Sequence, residues 1–191
     1  MKTIITKIYE FIELSDSAKQ TARQWCIDNC MSEWCEQEIE ELTEFASMIG
    51  FTDFKIYFSG FSSQGDGACF TGNYKYNKNS VKLIKEFAPL DKNIIAIAKS
   101  FQEMQKLEFY RLTAKVSHCG NYYHENSMQF DFSRSDNKVL SKESTEYFKD
   151  FARYIYKALE ENYTFQTSDV CVDENLSYNE IYFYENGKFA Q

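Results

Sequence analysis

The spacing between apolar residues changes back and forth along this chain, between two residues and three or four, and this alternation constrains the fold more than any other sequence feature. A spacing of two is typical of a half-buried strand, and a spacing of three or four is typical of an amphipathic helix. The segments follow in the order β-αα-ββ-αα-ββ-α-α-β, with short connections between neighbouring strands. This order predicts an α+β fold with a mainly antiparallel sheet packed with several helices.

Local signals place these segments along the chain. Strands are expected over 3–11, 55–59, 68–74, 109–116, 127–132 and 180–184. Helices are expected from the cap at Ser15 to about Met31, from Ser32 to Gly50, from Asn79 or Ser80 to Pro89, from Asp91 to about Lys106, from Ser141 to near Tyr163, and over 169–175. A tight turn at Asn186-Gly187 is expected to form a terminal hairpin.

Length and composition predict one domain with an aromatic core. Domains commonly have about 100–200 residues, so the 191 residues are expected to form a single α+β domain over 1–191. The chain has 17 Phe and 14 Tyr beside a single Pro, and large rings should fill most of its core. The six cysteines show no paired rhythm, so free thiols are expected rather than disulfides.

Charge and hydropathy limit the partners and the location of the protein. The chain has 29 acidic and 21 basic residues, a formal charge of −8, which opposes direct binding to nucleic acid and favours a basic partner surface. The longest apolar run, 94–98, is far shorter than the roughly 18 residues that span a membrane. The first seven residues lack the apolar region of a signal peptide. A cytoplasmic protein that does not bind a membrane is therefore expected.

The segment 60–67 is the most unusual part of the sequence. Its three glycines allow the backbone to approach a ligand closely, and Ser62, Gln64 and Asp66 offer hydrogen-bond donors and acceptors. The glycine spacing matches neither a phosphate-binding P-loop nor a Rossmann turn, because no Gly-Lys-Ser/Thr ends it and a strand follows it. A ligand or partner could bind there, although a bulge that ties off a twisted hairpin is favoured.

Both histidines of the chain, His118 and His124, lie in a second unusual segment, which also holds Tyr122. The two imidazoles could bind zinc together with the Cys119 thiol and the Glu125 carboxylate, or one imidazole could act as a general base with a tyrosine as the acid. Histidines that hydrogen-bond around a hairpin are favoured, because the spacing fits no standard zinc site. If the flanking strands belong to one sheet, five side chains should lie close together: Gln64, Asp66, His118, Tyr122 and His124.

Three cysteines, Cys26, Cys30 and Cys35, form a third candidate group. Cys26 and Cys30 are four residues apart and therefore lie on the same helix face, but a fourth ligand is missing nearby. Core thiols are therefore favoured over a metal site. The residues predict no catalytic group, no metal and no cofactor.

Acidic residues follow the second predicted helix from Glu33 to Glu44. They could present carboxylates to a basic partner, or they could form an ordinary solvated face. The candidate residues for the partner surface are Glu36, Glu40, Glu41 and Glu44.

Several segments together resemble a family of small proteins from tailed phages and prophages that have no established activity. The matching segments are 9–15 with Ala18, Lys19 and Ala22, 56–70, 80–89, 116–125 and 167–169. The serine-glycine and glutamine-glycine-aspartate-glycine residues of the second segment are the most specific part. Relatives often have a Trp in this loop where the present chain has Ser62, a difference that changes what the loop can contact.

The resemblance implies a phage accessory protein, and such proteins commonly inhibit host defence or modulate host enzymes. The favoured function is a non-enzymatic inhibitor that binds a host protein or ribonucleoprotein complex, such as a component of CRISPR-Cas or restriction. The alternative is a protein that binds a small ligand or nucleotide, or processes phosphodiesters, with the 60–67 loop and the His118/His124 hairpin. The first is favoured because the sequence contains no recognisable nucleophile–base pair, metal cluster or phosphate loop.

Overall fold

The computed structural model of this protein describes residues 5–31, 33–133 and 138–190. In these ranges the strands are β1 (Tyr9–Glu10), β2 (Phe51–Phe58), β3 (Ala68–Lys75), β4 (Thr113–His118), β5 (Met128–Ser133) and β6 (Tyr182–Phe183). The helices are α1 (Asp16–Cys30), α2 (Glu36–Ile49), α3 (Ser80–Phe87), α4 (Lys92–Leu107), α5 (Lys138–Gln166) and α6 (Asp169–Tyr178). Every strand pair is antiparallel, and the predicted α+β class is confirmed.

Contacts along the chain divide it into two compact units. The central unit spans Gln37–Glu160 and contains β2 to β5. The terminal unit is formed by the described residues up to Glu36 and from Glu161 onward. That residues 1–191 form one domain stays a prediction. Across the described ranges, no helix combines the length and the apolar character needed to cross a bilayer.

The central unit is built on a four-stranded antiparallel sheet in the order β2-β3-β4-β5. Phe51 of β2 lies opposite Tyr74 of β3, and the rings of both pack against α4 and α5. The ring of Phe148 on α5 lies 5.0 Å from that of Phe101 on α4 and 5.4 Å from that of Tyr74. Interlocking aromatic rings therefore fill this core, as the composition predicts.

The terminal unit packs α1 against α6 and contains the short antiparallel pair of β1 and β6. Ser15 caps α1 as predicted, because its hydroxyl accepts a hydrogen bond from the Ala18 amide at 3.4 Å. Arg23 of α1 donates two hydrogen bonds to the Asp173 carboxylate of α6, at 2.6 and 2.7 Å. The predicted turn at Asn186-Gly187 is also present. The cap and the turn of this unit thus follow the local sequence signals.

The strand predictions are wrong at several boundaries. Among the described residues, the strand expected over 3–11 is confined to Tyr9–Glu10, because the chain enters a 3-10 turn at Phe11. β2 begins at Phe51 instead of Lys55, because a bulge between Thr52 and Lys55 hides the period of two.

Two further strands start later than predicted. β4 starts at Thr113 instead of Phe109, because Phe109 and Tyr110 adopt positive φ angles of 51° and 59° in the turn after α4. The closing strand contains Tyr182–Phe183 within the expected 180–184, and Glu180 before it has a φ of 50°. Positive φ interrupts the extended backbone that a strand needs.

The helix predictions hold better. α5 is longer than predicted and runs from Lys138 to Gln166. The expected helix start at Ser32 lies outside the described residues, and α2 begins at Glu36 and ends before Gly50. Asp91 caps α4 through its Oδ1, which accepts hydrogen bonds from two backbone amides.

Candidate functional site

Two connections leave the central sheet at the same end. Residues 59–67 join β2 to β3, and residues 119–127 join β4 to β5. Because neighbouring strands are antiparallel, the β2–β3 and β4–β5 connections lie at the same end of the strands. We call these two connections, together with His118, the loop end. It contains the most unusual segments of the sequence.

The two connections are in direct contact at Gly67. A Cβ atom at this buried glycine would lie 2.8 Å from Cδ2 of His124 and 3.0 Å from the carbonyl oxygen of Tyr123. No side chain fits there unless the histidine segment moves. The structure therefore brings Gly67 of the glycine loop against the histidine segment, and the closeness of all five predicted side chains stays a prediction.

Asp66 shapes the 59–67 connection from within. Its Oδ2 accepts hydrogen bonds from the amides of Ser62 at 2.9 Å and Ser63 at 2.7 Å. These amides, that of Ser63 first, lower the pKa of the Asp66 carboxyl. Gln64, at the tip of the loop, is exposed. Asp66 thus forms the turn with its charge, in agreement with the structural interpretation of this segment.

The two histidines are also engaged in local turns. Nε2 of His118 lies 3.0 Å from the carbonyl oxygen of Tyr122. Nδ1 of His124 lies 2.8 Å from Oε2 of Glu125 and 3.2 Å from the amide nitrogen of Asn126. The imidazole can donate to the carboxylate when Nδ1 is protonated, or accept from the amide when it is not. Both histidines therefore hold the 119–127 connection in shape.

Aromatic rings cover part of the loop end. The rings of Tyr57 and Tyr123 are nearly parallel with centroids 5.6 Å apart, and the His118 ring lies 5.3 Å from that of Tyr123. Tyr122 projects beyond this stack with 75% of its surface exposed. Tyrosine is enriched at protein interfaces, because its ring buries much area and loses little rotamer freedom. The loop end thus presents a fixed aromatic surface.

The α5 helix supports the loop end from one side. Lys149 donates a hydrogen bond to Oδ1 of Asn126 at 2.9 Å, and Arg153 lies 3.3 Å from Oε1 of Glu125. The Tyr156 hydroxyl donates to the Gly60 carbonyl oxygen at 3.4 Å. Both connections are therefore tied to the same helix.

The four acidic residues that are candidates for the partner surface are exposed. Glu40, Glu41 and Glu44 lie on α2 in the central unit, opposite the buried Leu42 and Phe45. Glu36, the first residue of α2, is exposed as well and belongs to the terminal unit. The exposure fits both of the predicted roles, a partner surface and an ordinary solvated face.

The cysteine group gives no sign of a metal site in the described ranges. Cys26 is buried in the core of the terminal unit, and burial raises the pKa of its thiol to about 12. Cys30 is exposed, and partial burial raises the pKa of Cys35. No three His, Cys, Asp or Glu side chains of the described residues are arranged to hold a metal ion. The buried Cys26 behaves as a core residue.

Sequence reasoning overlooked the contact between Tyr123 of the loop end and Tyr57 of β2. The alternation in the second strand marks Tyr57 as a strand residue, but nothing local indicates that its ring meets Tyr123 from another hairpin. The 119–127 segment has two adjacent tyrosines, but β2 has Tyr57 alone, so no sequence signal joins the two rings.

Comparison with known proteins gives one family match. A family model described as a domain of unknown function, DUF8835, matches residues 34–169, which is more than half of the chain. The matched range contains both connections of the loop end and all of α2. Neither the curated proteins nor the solved structures yield a match. The chain therefore belongs to the DUF8835 family.

Proposed function

We propose that this protein is a phage or prophage accessory protein that binds a host protein without catalysing a reaction. Acting in the cytoplasm of the bacterial host, it would inhibit a defence system such as CRISPR-Cas or restriction. The phage origin rests on the sequence resemblance. The binding role rests on one structural observation: at the loop end, the groups suited to catalysis are used in turns, while the aromatic surface beside them is exposed.

The hydrogen bonds of the loop end favour binding over catalysis. A general base needs a free acceptor within reach of the proton it removes. Oδ2 of Asp66 already accepts from two backbone amides, and Nδ1 of His124 accepts from the Asn126 amide. A binding surface instead gains from turns that are rigid before the partner arrives, because less conformational entropy is then lost on association.

The charge of the chain supports a basic partner surface on a host protein or ribonucleoprotein complex. The protein has a formal charge of −8, and Glu40, Glu41 and Glu44 are exposed on one helix of the central unit. Opposite charges across an interface accelerate association and exclude wrongly charged partners.

The test is capture of a host protein by tagged wild type and variants, followed by a binding measurement with the purified partner. Tyr122→Ala removes the most exposed ring of the loop end, and we expect its affinity to fall at least tenfold. Tyr178→Ala is the matched control, because Tyr178 is 85% exposed and lies in the terminal unit. Equal binding of wild type and Tyr122→Ala would contradict the proposed role of the loop end.

The contact between Gly67 and His124 favours a second candidate function, a small-ligand, nucleotide-binding or phosphodiester-processing site in the same place. Titration with nucleoside mono- and diphosphates separates the two functions. Saturable binding that is lost in His118→Ala supports the second candidate. Capture of a host protein that persists in His118→Ala and is lost in Tyr122→Ala supports the first.

A further inference from the structure

The central unit has a groove of about 380 Å³ between α4 and α5. On α4 its floor includes Ala96 and Ser100, which are four residues apart and therefore share a helix face. On α5 its walls include Tyr147 and Tyr154, about two turns apart. Small side chains on one helix opposite large rings on the other leave the space open. The volume falls in the range of about 300–1,000 Å³ that is common for ligand sites.

Tyr154 lies at one end of this groove, and its side chain is held in place by neighbouring groups. Its hydroxyl donates a hydrogen bond to Oδ2 of Asp91 at 2.8 Å. Oδ1 of the same carboxylate caps α4, accepting from the amides of Asn93 and Ile94 at 2.8 and 3.0 Å. The Tyr154 ring also lies 6.4 Å from that of Phe45 on α2. The wall therefore exists before any partner binds.

Carboxylates surround the Tyr154 end of the groove. Burial raises the pKa of the Tyr154 hydroxyl, and the hydrogen bond to Asp91 and the charges of Asp91, Glu41 and Glu38 raise it further. Glu41 belongs to the exposed acidic face of α2. The groove is thus continuous, through Tyr154, with the acidic surface of the central unit.

Two of the lining residues are cations, Arg153 and Lys157, and the charge of Arg153 is compensated by neighbouring carboxylates. Arg153 lies 2.6 Å from Asp150, 3.3 Å from Glu125 and 3.4 Å from Glu146. An arginine among three carboxylates offers little attraction to an anionic ligand. The carboxylates at the Tyr154 end therefore favour a cationic group at that end, and Ala96 and Ile97 favour an apolar group in the groove itself.

We propose that the α4–α5 groove binds an amphipathic basic segment of the host protein, with an aliphatic side chain in the groove and lysine or arginine beside Glu38 and Glu41. This inference rests on the proposed function and adds the chemistry of the partner segment. Helical segments commonly bind in this way, with an apolar face in a groove and charges at the rim.

The probe is a fluorescent 14-residue peptide of leucine and lysine with helical amphipathic spacing, measured by anisotropy at low salt. A second peptide replaces lysine by glutamate, and a third replaces leucine by serine. Ala96→Trp fills the groove at an exposed helix position, and Ala96→Ser is the matched control that leaves it open. We expect wild type and Ala96→Ser to bind the leucine–lysine peptide alike, and Ala96→Trp to bind it at least tenfold more weakly.

Three outcomes would overturn this inference. Ala96→Trp could bind the leucine–lysine peptide as tightly as wild type does. Wild type could instead prefer the glutamate peptide, or bind the serine–lysine peptide as tightly as the leucine–lysine peptide. Thermal melts of the variants verify that each one folds. Host-protein capture separates the two proposals. If Tyr122→Ala loses capture while Ala96→Trp retains it, the groove inference fails and the proposed function stands. If wild type captures no host protein, the proposed function itself fails.

Discussion

The ionised carboxylate of Asp66 stabilises the 59–67 connection by accepting hydrogen bonds from the backbone. Its Oδ2 accepts from two successive amides, and these hydrogen bonds place its pKa below the ordinary value of 3.8. A carboxyl group that stabilises a turn only when ionised makes the stability of that turn depend on pH.

We expect wild type to be more stable than Asp66→Asn at pH 7 and the difference to shrink in acid. The pKa of Asp66 is lower in the folded than in the unfolded state, so its contribution is complete above the unfolded pKa. It is lost as the pH falls through the folded value. Urea denaturation of both proteins at pH 7, 5 and 3 measures this, and a difference that grows in acid would contradict the role of Asp66.

Gly67 tests whether the two connections of the loop end are truly packed together. Gly67→Ala would place a methyl group 2.8 Å from the His124 ring, and we expect a loss of about 1–3 kcal/mol of unfolding free energy. Gly65→Ala is the control, because its Cβ would have no neighbour within 4 Å and only its φ of 101° is unfavourable. Equal losses in both variants would mean that the contact with His124 does not constrain Gly67.

At the scale of elements, the helices could be predicted because their signals are local. The Ser15 and Asp91 caps and the glycine after α2 mark boundaries within a few residues of sequence. The strands could be predicted less well, because the bulge near Asp53 and the positive φ of Phe109 and Tyr110 depend on tertiary packing. Phe and Tyr are not residue types that favour positive φ, so the sequence at 109 and 110 does not indicate such a backbone conformation.

The candidate site shows the same division between local and tertiary information. Composition identifies the glycine loop and the histidine segment, and strand pairing predicts that they are neighbours. The stacking of Tyr57 on Tyr123 joins two different hairpins, so local spacing cannot reveal it. The α4–α5 groove arises between helices that are distant in the chain, and it has no signal in the sequence.

The turn before the last described residues tests how the terminal unit is held together. The φ angle of Gly187 is 79°, and a Cβ atom at this position would collide with the Ala18 carbonyl group of α1. We expect Gly187→Ala to lower the unfolding free energy by about 2–4 kcal/mol. Gly120 is the control, because its φ is 100° but a Cβ atom there would have no neighbour within 4 Å. Gly120→Ala should therefore lower the unfolding free energy by only about 1 kcal/mol. A thermal or urea melt in which both variants match would contradict the packing of this turn on α1.

For the whole molecule, the distribution of charge should control how fast a partner binds. Replacing Glu40, Glu41 and Glu44 by lysine should slow association with the captured host protein by about tenfold or more at low salt. The melting temperature should hardly change, since exposed carboxylates contribute little to stability. The effect of the charges should fade as added salt shortens the Debye length from about 10 Å at 0.1 M.

The matched control changes the net charge equally but elsewhere. Asp131, Glu174 and Glu185 are exposed and lie outside α2, and their replacement by lysine should slow association less. Equal slowing by both triple variants would mean that only net charge matters, and that α2 has no special place in the interface.

Hydrogen–deuterium exchange of the protein, with and without its captured host partner, tests the central claim most directly. If the loop end is a binding surface built from rigid turns, amides in 59–67 and 119–127 should gain protection in the complex. The same amides should exchange unchanged when nucleotides are added. Protection confined to other parts of the chain, with both connections exchanging as in the free protein, would contradict the account.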